Sequence, residues 1–196
     1  MKRNIFLVVV LFSALSTLKL TLAHCDSIEG PVVKASQKAL ETGNINYVLV
    51  WVRAEDEQEI IVMFDEVNKV RTLSLEAKEL ADMYFFETVV RVHRMGEGVG
   101  YTGLKPAGYK PDEGIEAADI AIEENSLDPV FAYLDEAQNA EVKEYFAELQ
   151  SQKDYDIDDP KGGREYVAAY VHFIHYVEAL FQGGNIQEEE YEHHSH

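Results

Sequence analysis

From Pro31 to Phe181, apolar residues recur at the three- and four-residue spacing of a helix face, and no stretch alternates convincingly as a half-buried strand does. That periodicity restricts the chain to an all-α fold, a helical bundle of roughly six to eight helices, several of them short. Pro31 suits the first turn of a helix running to about Thr42, with Gly43 as its stop. Asn44 can cap a short apolar helix through Val52, although Tyr47 to Trp51 also reads as a buried strand. Ile60, Met63, Phe64, Val67 and Val70 are spaced for one face. Ser74, followed by Ala77, opens a long helix through Leu80, Tyr84, Phe85, Val89 and Val92 that ends at Gly96. Residues 96–112 are rich in glycine and proline, a loop long enough to close a site. Helical patterns resume near 113–124, 127–135 and 138–152. After a turn-rich acidic connection, the last helix spans Arg164 to Phe181, with Tyr170, Ile174, Val177 and Phe181 on one stripe.

The N-terminus reads as a secretory leader over residues 1–23. Lys2 and Arg3 precede an apolar run from Ile5 to Leu15, too short to span a membrane, and Thr21-Leu22-Ala23 places small residues around a cleavage point. The expected plan is a leader (1–23), one helical domain (24–182) and a disordered acidic, histidine-bearing tail (183–196). The expected location is periplasmic or secreted, without membrane attachment after cleavage. A lipid anchor through Cys25 is the alternative, but His24 fits badly where a lipoprotein signal wants a small residue. Losing the leader's three positive charges takes the formal net charge from −19 to about −22. So acidic a chain is repelled by nucleic acid and by anionic lipid, and cations are its natural small partners. With one cysteine there is no intrachain disulfide, so the core alone must hold the fold.

Cleavage after Ala23 would leave His24-Cys25-Asp26 at the start of the mature chain. The His24 amine, the Cys25 amide nitrogen and the Cys25 thiolate can then chelate one ion, with the His24 imidazole as a further ligand. Nitrogen and thiolate donors in a near-square array suit a nickel or copper ion, and the metal would hold the thiol ionised. Asp26 is a further candidate ligand, and Asp26 and Glu29 are placed to orient or protonate groups nearby. His24 and Cys25 are accordingly the candidate catalytic residues.

His24-Cys25-Asp26 with Gly30 resembles the hook of nickel superoxide dismutase, which begins His-Cys-Asp. Here Glu29 stands where that family has its second cysteine ligand, and Ile28 where it has proline. The resemblance implies a nickel-dependent redox enzyme acting on superoxide. Over nearly the whole mature chain, the blocks from His24 to Val33, Tyr84 to Thr88, His93 to Gly98, Tyr101 to Gly108 and Phe173 to Glu178 also resemble an uncharacterised bacterial exported family. That resemblance implies fold and domain limits but no activity.

Several polar residues punctuate the helices. Glu87, Arg91 and Arg94 fall on one helical face and are expected to form a partly buried ion network; alternatively the arginines attract a small anionic oxidant. His93 with Glu97, and His175 with Glu178, can each meet on a helix and offer metal ligands or a simple acid–histidine contact. His93, His175 and Glu178 are therefore candidate metal ligands, with Glu29, Glu87, Arg91, Arg94, Glu97 and Tyr101 as supporting groups. The leading expectation is an exported metal-binding protein, with a dismutase-like redox enzyme as its sharper form. The alternatives are a non-catalytic module that sequesters or delivers metal, and an interaction protein without metal.

Overall fold

The computed structural model describes residues 25–134 and 139–183. The expected leader, His24 and nearly all of the expected tail lie outside them. Among the described residues the chain forms eight α-helices and one short 3-10 turn, Ala54–Asp56. The helices are α1 (Pro31–Thr42), α2 (Asn46–Leu49), α3 (Glu57–Val70), α4 (Leu75–Gly96), α5 (Glu113–Glu124), α6 (Asp128–Phe131), α7 (Asn139–Gln152) and α8 (Pro160–Phe181). The expected all-α bundle is what the chain forms. Sheet-like pairing among the described residues is a single parallel bridge between Ser27 and Lys105.

Local chemistry accounts for the boundaries. Pro31 occupies the first turn of α1, and Gly43 ends it at φ 75°, a conformation that costs glycine nothing. Asn44 Oδ1 accepts from the Asn46 amide at 2.9 Å, starting α2 and turning Tyr47–Leu49 into helix rather than strand. The Ser74 side chain accepts from the Ala77 amide at 3.1 Å and caps α4. Asp82 then ties the α3–α4 turn to α1. It takes both Arg71 Nε (2.7 Å) and Arg71 Nη2 (3.0 Å), while Arg71 Nη1 donates to the Leu40 carbonyl at 2.8 Å. Burial pushes the Asp82 carboxyl up, but hydrogen bonds from Arg71 and Lys78 outweigh it and leave it below its ordinary range.

The core has two parts. Val32, Val33, Ile60, Phe64, Phe85 and Val89 anchor the first, built from α1 to α4. Ile115, Val130, Val142, Leu149, Phe173 and Val177 anchor the second, built from α5 to α8. Trp51 packs against both. The start of α8 completes the joint. Arg164 Nε donates to the Val52 carbonyl at 2.8 Å, and its Nη2 pairs with Glu57. Asn46 donates to Asp158 at 3.1 Å.

Along α4, Phe85, Val89 and Val92 face the core, whereas Leu80 and Tyr84 are 74% and 57% exposed. A helix of 22 residues packed on one side has room for two apolar stripes, and spacing alone does not say which is buried. Among the described residues, no helix is long and apolar enough to cross a membrane.

Gly163 marks the tightest approach in the joint. A Cβ there would lie 2.2 Å from Val50 Cγ1 and 2.9 Å from the Tyr155 ring. Gly163→Ala is expected to cost about 3 kcal/mol by overpacking. Adding Val50→Ala should recover part of that loss, and urea unfolding midpoints of the two variants check both statements.

Candidate functional site

The segment Cys25–Gly30 enters the fold as a strap of turns, the Gly30 amide donating to the Ser27 carbonyl at 2.9 Å, beneath the glycine- and proline-rich loop. The Lys105 amide donates to the Asp26 carbonyl at 2.8 Å, and the Ile28 amide donates to the Lys105 carbonyl at 3.0 Å. Glu29 Oε2 accepts from the Gly108 amide at 2.9 Å. The loop thus closes over the strap, and it buries Cys25, Asp26 and Ser27.

Against that strap lies the last turn of α4. Arg94, buried, has Nε 3.3 Å from Asp26 Oδ1 and donates through Nη1 to Glu97 Oε2 at 2.7 Å. His93, also buried, has Nδ1 2.8 Å from the Trp51 carbonyl. A carbonyl only accepts, so Nδ1 carries the hydrogen. The other ring nitrogen, Nε2, lies 3.3 Å from Glu97 Oε1. Neither of the two 3.3 Å contacts is aligned as a hydrogen bond, so Asp26 Oδ1, Arg94 Nε, His93 Nε2 and Glu97 Oε1 are held by charge and proximity alone. Trp51 stands edge-on to His93 (5.7 Å) and to Tyr170 (5.8 Å), and Tyr170 donates to Asp119 at 3.0 Å. A polar thread therefore runs from the strap through α4 to α5 and α8.

Burial, then the Glu97 carboxylate, pushes the Cys25 thiol far above its ordinary value. It stays protonated at neutral pH, the opposite of the thiolate that a nucleophile needs. Asp26 is also raised, chiefly by burial, with Arg94 and then Lys105 opposing.

The expected site residues separate into groups. Cys25, Asp26, His93, Arg94 and Glu97 do gather, while Glu29 is spent on Gly108 at the strap's edge. Tyr101 packs its ring on the first core beside Leu104, and its hydroxyl is raised by burial and by the Glu87 charge. The expected Glu87–Arg91–Arg94 network does not form. Glu87 is exposed, Arg91 pairs with Glu59 at 2.8 Å, and Arg94 is turned to Asp26. Arg94 shares Glu87's helical azimuth, but the strap and loop cover α4 only at its last turn. His175 and Glu178 form an acid–histidine contact of 3.0 Å on α8, with Gln182 also reaching Glu178. His24 lies outside the described residues.

These placements overturn the metal reading. Among the described residues, no group of three or more His, Cys, Asp or Glu side chains is arranged to hold a metal ion. Arg94 stands between the carboxylates of Asp26 and Glu97, where a cation would otherwise sit. The nickel or copper cofactor, the metal partner, the likeness to the nickel dismutase hook and the metal-dependent redox function are all withdrawn on that ground. The small anionic oxidant goes with them, because among the described residues no metal site remains for it to react at. Trp51, Tyr170, Asp119 and Arg164 were not among the expected site residues. Their signal is long-range, and the lone tryptophan was the only hint.

Residues 29–176 match a family of unknown function, DUF6448. The chain belongs to that family. The matched region takes in Trp51, all of α4 and the closing loop. No curated protein and no solved structure matches the chain.

Replacing Arg94 with methionine would leave the buried Asp26 and the partly buried Glu97 without their guanidinium partner, which is expected to cost about 3 kcal/mol at neutral pH. Because the folded state already raises Asp26, its ionised form detracts from stability above the folded value, and that penalty disappears as pH falls through it. Arg94→Met deepens the penalty, so the gap in urea midpoint between variant and parent should narrow toward pH ~4. A gap independent of pH would show that the guanidinium contributes by packing rather than charge.

Proposed function

We propose that this protein is an exported interaction module that works without a bound metal, and that the solvent-facing side of α4 is its contact surface. The observation that carries the reading is the exposure of Leu80, Met83 and Tyr84 on one side of α4. A strongly acidic chain keeps large apolar side chains out of water wherever its core has room. A contiguous exposed group of them marks a surface that meets another. The polar cluster supports the same reading from the other direction: Arg94 sits between Asp26 and Glu97 and the thiol is protonated and enclosed, an arrangement that seats the strap.

Export rests on the leader pattern of residues 1–23, and the periplasm or the exterior is the proposed location. One helical domain over 24–182 fits the two cores joined through Trp51. Enclosure of Cys25, at 8% exposure, favours cleavage before His24 over a lipid anchor, since a diacyl group on that sulfur would have to displace the loop.

A photo-crosslinking amino acid placed at Leu80, in the cell that exports the protein, is expected to give a discrete adduct. The same probe at Glu148, exposed on α7, is expected to give none. If position 80 gives no adduct with any chain, α4 is not a contact surface.

A further inference from the structure

Resting on that reading of α4, we propose that the surface is occupied by a second copy of this chain, with the two α4 helices antiparallel about a twofold axis. An isologous contact must be complementary to itself. Leu80, Met83 and Tyr84 lie at the centre of the exposed side, and helical periodicity places Glu76 at one end of the same side and Arg91 at the other. Glu76 is exposed, and the Arg91 side chain is 40% exposed. Antiparallel pairing about the midpoint of Met83 and Tyr84 sets Glu76 of each copy against Arg91 of the other. In the same register Met83 meets Tyr84.

Charge selects this arrangement over its rivals. Parallel pairing would bring Glu76 to Glu76 and Arg91 to Arg91, which repel. It would also align the two helix dipoles, whereas the antiparallel pair opposes them favourably. With Glu59, which pairs with Arg91, the surface carries three acids and one base, so the contact between copies rests on Glu76 meeting Arg91 and on the apolar strip between them. Glu87 falls opposite Leu80, with its methylenes over the apolar strip and its carboxylate at the rim. Arg91 donates to Glu59 through Nη2, and its Nη1 is turned toward Met95 at 3.5 Å, which leaves that edge for Glu76 of the second copy. A strip on one helix is smaller than a standard interface, so the association is expected in the micromolar range.

Sedimentation equilibrium of the protein as processed by its host should show a monomer–dimer equilibrium. Leu80→Arg should weaken it by at least about tenfold, with an unchanged urea midpoint. Glu76→Arg and Arg91→Glu should each weaken it, and the double swap should restore it. Leu80→Cys with Glu87→Cys should form a dimer-linking disulfide on mild oxidation, whereas Leu80→Cys alone should not, because the enclosed Cys25 adds no background. A monomer at every concentration, or a dimer indifferent to Leu80→Arg, overturns self-pairing. A monomer whose position 80 still crosslinks to a different protein overturns self-pairing while leaving α4 as the contact surface. A monomer with no adduct removes both.

Discussion

The buried guanidinium of Arg94 is the constraint around which the rest is arranged. It stands between Asp26 on the strap and Glu97 at the end of its own helix. Three charges removed from water are tolerable only together, because each would be costly alone. To bring them together, the strap must lie on the last turn of α4 and the loop must cover it, which fixes the Asp26–Lys105 backbone pairing. His93, next to Arg94, is aimed at the Trp51 carbonyl in consequence, and Trp51 carries the connection to the second core.

Helix limits were legible because their causes are local. Gly43, Ser74 and the proline at position 31 act within a turn of themselves, and the helices begin or end where those residues stand. The closing role of the 96–112 loop was legible from composition. What spacing could not reveal was direction around an axis. Leu80 and Phe85 are five residues apart and equally apolar, yet one faces water and the other the core. Only contacts with α1 and α3 settle which, and those are tertiary. The candidate site failed for a related reason. His24-Cys25-Asp26 has the residue types of a chelate, but burial raises the thiol, and a guanidinium from far along the chain takes the carboxylates.

The cluster also shows why residue types alone mislead about chemistry. Cysteine, aspartate, histidine and glutamate gather within one small region, an inventory that suggests a metal. Arginine in their midst takes the place between the two carboxylates that a cation would need. The same groups without Arg94 would form a different kind of site. The functional surface is better sought where apolar side chains remain outside after the polar ones have been paired.

The strap has a consequence in time. Glu29 and Gly108, which join strap to loop, are 79 residues apart. A chain delivered from its N-terminus presents Cys25 early and the groups that enclose it much later. Until α4 and the loop have followed, the thiol has no shelter, and strap docking is a late, non-local step that waits for most of the first core. In an oxidising compartment the interval between arrival and enclosure is when this cysteine is open to chemistry, and the speed of that closure decides how much of the protein keeps its thiol intact.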